Sequence, residues 1–289
     1  MLLLAVPSPG GAIVVVQDNE VVHESTDGGR TYHDMYRASG PVYFAAISAD
    51  GTLYVLHDDE LVVVRNGKPI AKHATREASR VVVDGRNVAM LNKDSVEVST
   101  NGGLTFASRI IPSAALGVGN EILGTWDMTI ANGSPFIVET SINTCTSSDV
   151  LEWQRLVQFG PTPFQRSLPI SRHDFAAAWK FGAFGWMYGV TYAERLVAID
   201  ASSVTPVLGL PKVTMADRLT VAHNQRVTVA TIGDSLVELN GTTARVLDAH
   251  SKATDYIAVD GDDRPLVSDG KDLWRFSRIT GWTKLALPP

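Results

Sequence analysis

Short apolar runs and turn residues alternate along the whole chain. A strand-like run, a turn rich in glycine, aspartate or asparagine, and a second strand-like run occur together seven times. The seven copies occupy residues 6–15, 47–55, 82–90, 129–138, 179–188, 221–229 and 259–267. Their spacing averages about 41 residues, which is typical of propeller blades. Two further strands fit after each copy, as at 60–65 and 69–73, and helical periodicity is nearly absent.

Four short strands per period predict an all-β fold, a single seven-bladed β-propeller of four-stranded antiparallel blades. One domain would span residues 1–289. The predicted blades lie at approximately 1–36, 42–74, 79–111, 122–157, 174–209, 217–248 and 254–287. Because every predicted blade is contiguous, we expect the first and last blades to close the ring by packing, without a shared strand. An open six-bladed arrangement and a double β-sandwich are the alternatives.

One turn sequence occurs twice. Residues 25–32 read Ser-Thr-Asp-Gly-Gly-Arg-Thr-Tyr, and residues 99–106 read Ser-Thr-Asn-Gly-Gly-Leu-Thr-Phe. Each copy lies between the third and fourth predicted strands of its blade. Its aspartate or asparagine can close an Asx turn, and its glycine can adopt the positive φ that follows. The shared positions are Ser25, Asp27, Gly29, Thr31 and Tyr32 in the first copy and Ser99, Asn101, Gly103, Thr105 and Phe106 in the second.

This pattern resembles the Asp-box, or BNR repeat, of sialidases, sortilin-type receptors and a photosystem II assembly factor. The resemblance implies a β-propeller with Asp-boxes in at least two blades. It also implies that the shared residues support their blades from the outside and take no part in chemistry.

Composition and charge limit the classes of partner. The chain is 45% hydrophobic and 19% charged, as expected of a globular protein with a large core. A formal net charge of −6 gives no electrostatic reason to expect nucleic acid or an anionic membrane surface, and it favours a partner with a basic patch. The longest apolar stretch, residues 175–191, contains Lys180 and three glycines, so it suits two buried strands better than a membrane span.

Candidate metal and cofactor ligands are scattered. The single cysteine, Cys145, has no second thiol, and the seven histidines lie singly along the chain. We therefore predict no metal site and no cofactor. The N-terminus lacks the basic residues and the long apolar run of a signal peptide. This favours a cytoplasmic location, with export after removal of a leader as the open alternative.

The sialidase resemblance raises an enzymatic alternative. In that family three arginines bind the substrate carboxylate, an aspartate is the acid/base and a Tyr–Glu pair is the nucleophile. The nearest match to the family's Arg-Ile-Pro motif is Arg-Ile-Ile-Pro at residues 109–112, which has an extra residue and follows the second turn copy. No nucleophile elbow or phosphate-binding loop occurs. We therefore expect that the protein is not an enzyme and that it has no catalytic residues. A carbohydrate-binding protein or sialidase-like glycoside hydrolase using the central channel is the alternative, and a lyase with a His–Glu pair at the channel is a third.

The longest irregular segment lies between the predicted fourth and fifth blades, at residues 158–173. It combines three prolines with two phenylalanines and two arginines, a composition favoured at protein interfaces. The candidate partner-binding residues are Phe159, Phe164, Arg166, Arg172 and His173 in this segment, and Phe181 and Phe184 at the next turn. Alternatively, Phe159 and Phe164 fill a gap between blades.

These observations favour a non-enzymatic protein-interaction scaffold. It would dock a partner, or act as a subunit of a bacterial multiprotein assembly, through loops on one propeller face. Exposed apolar loops on one rim would favour this function. Carboxylates and arginines that converge on the channel mouth would favour the carbohydrate alternative.

Overall fold

The computed structural model describes residues 2–5, 11–17, 20–75, 77–112, 120–143, 150–160, 163–167, 176–191, 194–200, 203–210, 213, 219–224, 226–251 and 255–288. For residues 2–5, 120–126, 140–143, 150–154, 163–167, 176–179 and 184 only the backbone is described. In these parts of the chain the strands form seven four-stranded antiparallel sheets, each built from one contiguous stretch. This architecture is a seven-bladed β-propeller, as predicted, and it excludes the six-bladed and double-sandwich alternatives.

Each blade is a meander in which every strand pairs with the next one along the chain. The strands of blades 1 to 3 are β1 (Leu2–Ala5), β2 (Ile13–Gln17), β3 (Val21–Ser25), β4 (His33–Arg37), β5 (Val42–Ile47), β6 (Leu53–His57), β7 (Glu60–Arg65), β8 (Lys68–Ala74), β9 (Arg80–Asp84), β10 (Asn87–Leu91), β11 (Ser95–Ser99) and β12 (Ala107–Ile110). The strands of blades 4 and 5 are β13 (Asn120–Ala131), β14 (Ser134–Asn143), β15 (Val150–Phe159), β16 (Pro163–Ser167), β17 (Ala176–Phe181), β18 (Met187–Thr191), β19 (Leu196–Ile199) and β20 (Val204–Pro206). The strands of blades 6 and 7 are β21 (Leu219–His223), β22 (Thr228–Ile232), β23 (Ser235–Asn240), β24 (Thr243–Asp248), β25 (Tyr256–Val259), β26 (Pro265–Ser268), β27 (Leu273–Ser277) and β28 (Gly281–Leu285). A single 3-10 turn, Ala183–Gly185, lies between β17 and β18.

The first strands of the blades form the innermost ring. Each of them contacts the first strands of both neighbouring blades, and β25 of blade 7 contacts β1 of blade 1. The ring is therefore closed by contact between blades 1 and 7, with no strand shared between them. In such a meander the turns between second and third strands lie on the same face as the connections between blades. We call this the connection face; it includes residues 58–59, 75, 77–79 and 92–94.

The middle strands are buried on both sides because each blade lies between two others. The first four residues of β2 are all apolar, and none is more than 2% exposed. Val14 and Val16 pack into the cluster shared with blade 2, whereas Ile13 and Val15 pack into the cluster shared with blade 7. Successive side chains of a strand point to opposite sides. A continuous apolar run of β-branched residues is therefore the sequence that this position requires.

The first copy of the repeated turn is held by its own side chains. Asp27 Oδ1 accepts hydrogen bonds from the backbone N–H groups of Arg30 (2.9 Å) and Thr31 (3.0 Å). Asp27 Oδ2 accepts a hydrogen bond from the Thr31 hydroxyl at 2.7 Å. The Ser25 hydroxyl accepts a hydrogen bond from the Gly29 N–H and donates one to Asp27 Oδ1, both at 2.8 Å.

The second copy has the same arrangement with an amide in place of the carboxylate. Asn101 Oδ1 accepts a hydrogen bond from the Thr105 N–H at 3.0 Å, and Asn101 Nδ2 donates to Thr105 Oγ1 at 2.8 Å. The Ser99 hydroxyl accepts from the Gly103 N–H and donates to Asn101 Oδ1, both at 2.9 Å. Each copy joins the third and fourth strands of its blade, so the repeat in sequence is also a repeat in structure.

Both turns pack on the preceding blade. A Cβ at Gly103 would lie 2.9 Å from the Tyr54 ring of blade 2, and the Gly103 carbonyl accepts a hydrogen bond from His73 Nε2 at 2.7 Å. In the first turn the Gly29 carbonyl accepts a hydrogen bond from the Ala286 N–H, just after the last strand of blade 7, at 3.0 Å. The first turn therefore contributes directly to the closure of the ring.

We predict that Gly29→Ala destabilises the protein more than Gly51→Ala. Both glycines have a positive φ, 87° and 78° respectively, which strains an alanine. At Gly29 the added Cβ would also lie 2.9 Å from Leu285 Cδ1 and 3.1 Å from Leu285 Cβ, whereas at Gly51 nothing lies within 4 Å. Urea unfolding should give losses of about 3 kcal/mol and about 1 kcal/mol respectively. Equal losses would show that the contact with blade 7 adds nothing to stability.

We predict that Asp27→Asn weakens the dependence of stability on acid pH. Hydrogen bonds from the side chain and backbone of Thr31 lower the pKa of Asp27 far below its ordinary value of 3.8. A carboxyl group with a lowered folded-state pKa stabilises the fold above its unfolded-state pKa, and this contribution is lost as the pH falls. Urea unfolding between about pH 2 and 7 should show the difference between wild type and variant narrowing below about pH 4. The reverse variant, Asn101→Asp, should gain this dependence; pH-independent differences for both variants would contradict the prediction.

Candidate functional site

The segment predicted to connect blades 4 and 5 contains a strand. Strands β13, β14 and β15 have 12, 10 and 10 residues, whereas β9, β10 and β11 of blade 3 have five each. The fourth strand of blade 4 therefore comes later in the chain than the repeat spacing predicts. Phe164 and Arg166 belong to this outer strand, β16. Their side chains and that of Phe184, and all of Arg172 and His173, lie outside the description, so their role as partner contacts stays a prediction.

Phe159 and Phe181 are buried, which corrects their prediction as surface contacts. Phe159 is 3% exposed and packs with Leu91 in the cluster between blades 3 and 4. Phe181 is 5% exposed and packs with Val138 in the cluster between blades 4 and 5. Both belong to strands whose side chains face the neighbouring blade, where the propeller buries its apolar surface. The alternative that Phe159 fills space between blades agrees with this packing.

A groove lies between blades 2 and 3. It consists of two adjoining cavities of about 580 Å³ and 490 Å³, which share Asn92 and Ser95 as lining residues. The larger cavity lies along β8 and strands β10 to β12. The smaller cavity lies on the connection face and is lined by Asp59, Thr75, Glu77, Asn92, Lys93, Asp94 and Ser95. We call the two cavities together the blade 2–3 groove.

Small side chains leave this space open. Ala74 at the end of β8 and Ser95 and Ser108 of blade 3 line the larger cavity. Blades radiate from a central channel, so the gap between them widens outward, and these short side chains do not fill it. His73 fixes the outer wall, because it hydrogen bonds to the second repeated turn and its ring packs edge-on against Phe106 at a centroid distance of 4.9 Å.

Among its described lining residues, the groove has unpaired carboxylates and no unpaired lysine. Lys72 forms an ion pair with Glu60 at 2.9 Å, and Lys93 forms one with Glu77 at 3.5 Å. The lining carboxylates without an ion pair or side-chain hydrogen bond to any described residue are Asp59, Asp94 and Glu97. The groove therefore has the electrostatic character of a binding site for a cation.

Two buried polar atoms border the groove without a hydrogen-bond partner in the described chain. Thr75 and Asn92 are 8% and 7% exposed, and Thr75 Oγ1 and Asn92 Oδ1 make no hydrogen bond. Leaving such a group unpaired costs about 1–3 kcal/mol. The three carboxylates, in contrast, suit a ligand rich in N–H donors.

A second charged cluster lies at the inner ring. Arg80 of β9 forms an ion pair with Asp127 of β13, and Asp127 Oδ2 also accepts a hydrogen bond from the Phe181 N–H at 2.9 Å. The Arg80 guanidinium lies over the Phe44 ring, 5.5 Å from its centroid. Lys180 of β17 is half-buried, and burial together with the charge of Arg80 lowers its pKa. We call these side chains the inner-ring cluster.

A further buried charge pair lies within blade 4. Glu139 and Arg155 form a buried ion pair between β14 and β15, and Arg155 also donates to the Pro112 carbonyl at 2.6 Å. Arg109, the nearest match to the sialidase arginine motif, lies on the outer strand β12, away from the inner ring. Among the described residues no group of three or more His, Cys, Asp or Glu side chains could hold a metal ion. No helix in this part of the chain has the length and apolarity to cross a membrane.

Comparison with known proteins gives the fold. No protein-family model and no curated protein matches the chain. PorZ, a bacterial surface component of the type-IX secretion system of Porphyromonas gingivalis, matches 99% of this chain with 11% identity and a TM-score of 0.61, and the chain spans 38% of PorZ. YCF48 from Cyanidioschyzon merolae has 16% identity and a TM-score of 0.58 over 92% of both chains.

Two more solved structures are similar. AztD from Citrobacter koseri has 11% identity and a TM-score of 0.58 over 94% of this chain and 92% of its own. YCF48 bound to D1 peptide has 11% identity and a TM-score of 0.55 over 96% of this chain and 90% of that one. All four have the same fold as this chain. At these identities the likeness concerns the β-propeller fold alone.

We predict that Thr75→Val does not destabilise the protein, whereas Thr228→Val does. Thr75 Oγ1 has no hydrogen-bond partner among the described residues, so the variant removes an unpaired buried hydroxyl. Thr228 is 2% exposed, and its hydroxyl accepts a hydrogen bond from the Ala183 N–H at 2.7 Å. Thermal and urea unfolding should show no loss for Thr75→Val and a loss of about 1–3 kcal/mol for Thr228→Val. A comparable loss for Thr75→Val would mean that its hydroxyl is satisfied in solution.

Proposed function

We propose that the protein is a non-enzymatic interaction scaffold that docks a basic segment of a protein partner into the blade 2–3 groove. The observation that carries this proposal is the set of three groove carboxylates without an ion pair to any described residue. Lysine or arginine side chains of the partner would bind Asp59 and Asp94 at the connection face. Their aliphatic parts would contact Met90 and Phe106 in the larger cavity.

Exposed apolar side chains on the same face support a macromolecular partner. Ile110, at the end of β12, is 77% exposed. The next residue, Ile111, donates its backbone N–H to the Asp94 carbonyl at 3.0 Å, which places Ile110 beside the groove. Tyr43, near the start of β5, is 60% exposed. Interfaces commonly combine such apolar contacts with a charged periphery.

We also propose that the two repeated turns are Asp-boxes with a structural role. Their shared hydrogen bonds, their position between third and fourth strands and their packing on the preceding blade support this assignment. Their side chains bond within the turn. Of the shared turn residues, only Phe106 lines the blade 2–3 groove among the described residues.

The comparisons support a scaffold, within the limits of a shared fold. YCF48 has been solved with a D1 peptide, and PorZ is described as a component of a secretion system. A role as a subunit of a larger assembly is consistent with both. Function does not follow from fold alone, so the groove chemistry remains the main support.

The glycosidase alternative has less support than the scaffold. It needs two carboxyl groups facing each other across a cleft, one of them free to act as an acid. Asp127, at the inner ring, is bound by Arg80 and by the Phe181 N–H. Glu139 is bound by Arg155. Both of these carboxylates are held in ion pairs, so neither gives support to a role in proton transfer.

The docking surface is testable by partner capture from native cell extract with mass spectrometry. We expect wild type to retain a partner, and Asp59→Asn/Asp94→Asn to bind it about tenfold more weakly in calorimetry, because two ion pairs are lost. Ile279→Lys/Thr280→Lys, in the β27–β28 turn of the opposite face, changes the net charge equally and should bind like wild type.

Two results would redirect the proposal. If Phe164→Ala/Arg166→Ala abolishes capture while the groove variant binds normally, the docking surface is blade 4 and the groove assignment is wrong. If wild type captures nothing, the scaffold function loses its support, and a glycan array becomes the test of the carbohydrate alternative.

A further inference from the structure

The inner-ring cluster joins three successive blades. Arg80 opens β9 of blade 3, Asp127 lies in β13 of blade 4, and Lys180 lies in β17 of blade 5. These are the innermost strands of their blades. Asp127 accepts hydrogen bonds from both Arg80 and the Phe181 N–H, so a single carboxylate separates the Arg80 guanidinium from the residue next to Lys180. The cluster is therefore a feature of the channel side of the propeller.

Asp127 is bound on both oxygens and forms no ion pair with Lys180 among the described contacts. The carboxylate is 7% exposed, one oxygen is bound by Arg80, and the other accepts the Phe181 N–H. Two cations therefore share one carboxylate that is already engaged. The described cluster therefore carries an excess of one positive charge, and both cations are partly buried.

Arg80 keeps free hydrogen-bond donors. A guanidinium carries five N–H donors, and only Arg80 Nη1 has a hydrogen-bond acceptor among the described residues. The Asp127 ion pair and the Phe44 ring hold the guanidinium plane in place. The Arg80 side chain is 27% exposed, so its free N–H donors are accessible to a ligand.

Lys180 has no acceptor. Within the described residues its ammonium group forms no ion pair and no hydrogen bond. Burial lowers its pKa first, and the charge of Arg80 lowers it further. Burial also lowers the pKa of Arg80. Like-charged groups that are poorly solvated and adjacent are unfavourable unless an anion joins them.

We propose that the inner-ring cluster is a binding site for a small oxyanion, the phosphate or carboxylate group of a ligand, held between Lys180 and the free N–H donors of Arg80. Charge-assisted hydrogen bonds from both cations would neutralise the excess charge. This site is separate from the blade 2–3 groove and takes a ligand of opposite charge. It does not depend on the docking function.

The test is isothermal titration calorimetry at constant ionic strength, with inorganic phosphate in one arm and acetate in the other. Wild type should show saturable binding of at least one of these anions, and the anion that binds more tightly identifies the ligand group. Lys180→Met should bind about tenfold more weakly, and Lys180→Arg should retain affinity within about threefold, because it keeps the charge. Lys271→Met removes an exposed lysine of blade 7 and should bind like wild type.

A stability measurement distinguishes a binding role from a structural one. Without added anion, Lys180→Met should unfold at a higher temperature than wild type, because it removes an uncompensated charge. Absence of saturable binding by wild type would overturn the proposal, as would wild-type affinity in Lys180→Met. A lower unfolding temperature of Lys180→Met in anion-free buffer would also overturn it, since Lys180 would then stabilise the fold by itself.

Discussion

The contact between blades 1 and 7 is the constraint on which the rest of the structure depends. Every blade interface is apolar, but six of them are also spanned by a chain connection, and this one is not. Closure rests on Ile13 and Val15 packing with Leu266 and Leu273, and on the hydrogen bond from Ala286 to the Gly29 carbonyl. Without this contact the innermost strands would not form a ring, and neither the groove nor the inner-ring cluster would keep its geometry.

The sequence predicts the fold well because blades are local. Strand and turn signals lie within one repeat, and the two Ser-x-(Asp/Asn) turns appear where their hydrogen bonds require those residue types. The repeat spacing predicted the fourth strand of blade 4, β16, too early in the chain. The first three strands of blade 4 are about twice as long as those of blade 3, and strand length is not set by turn chemistry. The prediction that Phe159 and Phe181 are surface contacts was wrong because a position beside a turn does not tell whether its side chain faces solvent or a neighbouring blade.

The candidate sites could not be predicted because they lie between blades. Ala74, Ser95 and Ser108 leave the groove open only because β8 and blade 3 diverge there. A weak signal existed for the inner-ring cluster. Arg80 and Asp127 each lie two residues before their repeat copies at 82–90 and 129–138, so they occupy equivalent positions in adjacent innermost strands. The closed ring brings these equivalent positions together, and their pairing follows from that. Lys180 does not occupy the equivalent position in its own repeat.

The closing contact also orders events during folding. Gly29 and its partner strand β28 come from opposite ends of the described chain, so the last interface forms only after every blade is in place. Until then Ile13 and Val15 lack their apolar partners from blade 7. During synthesis this apolar side of the first blade therefore stays exposed for longer than that of any other blade. Chaperones or a second nascent chain would compete with blade 7 for binding to it.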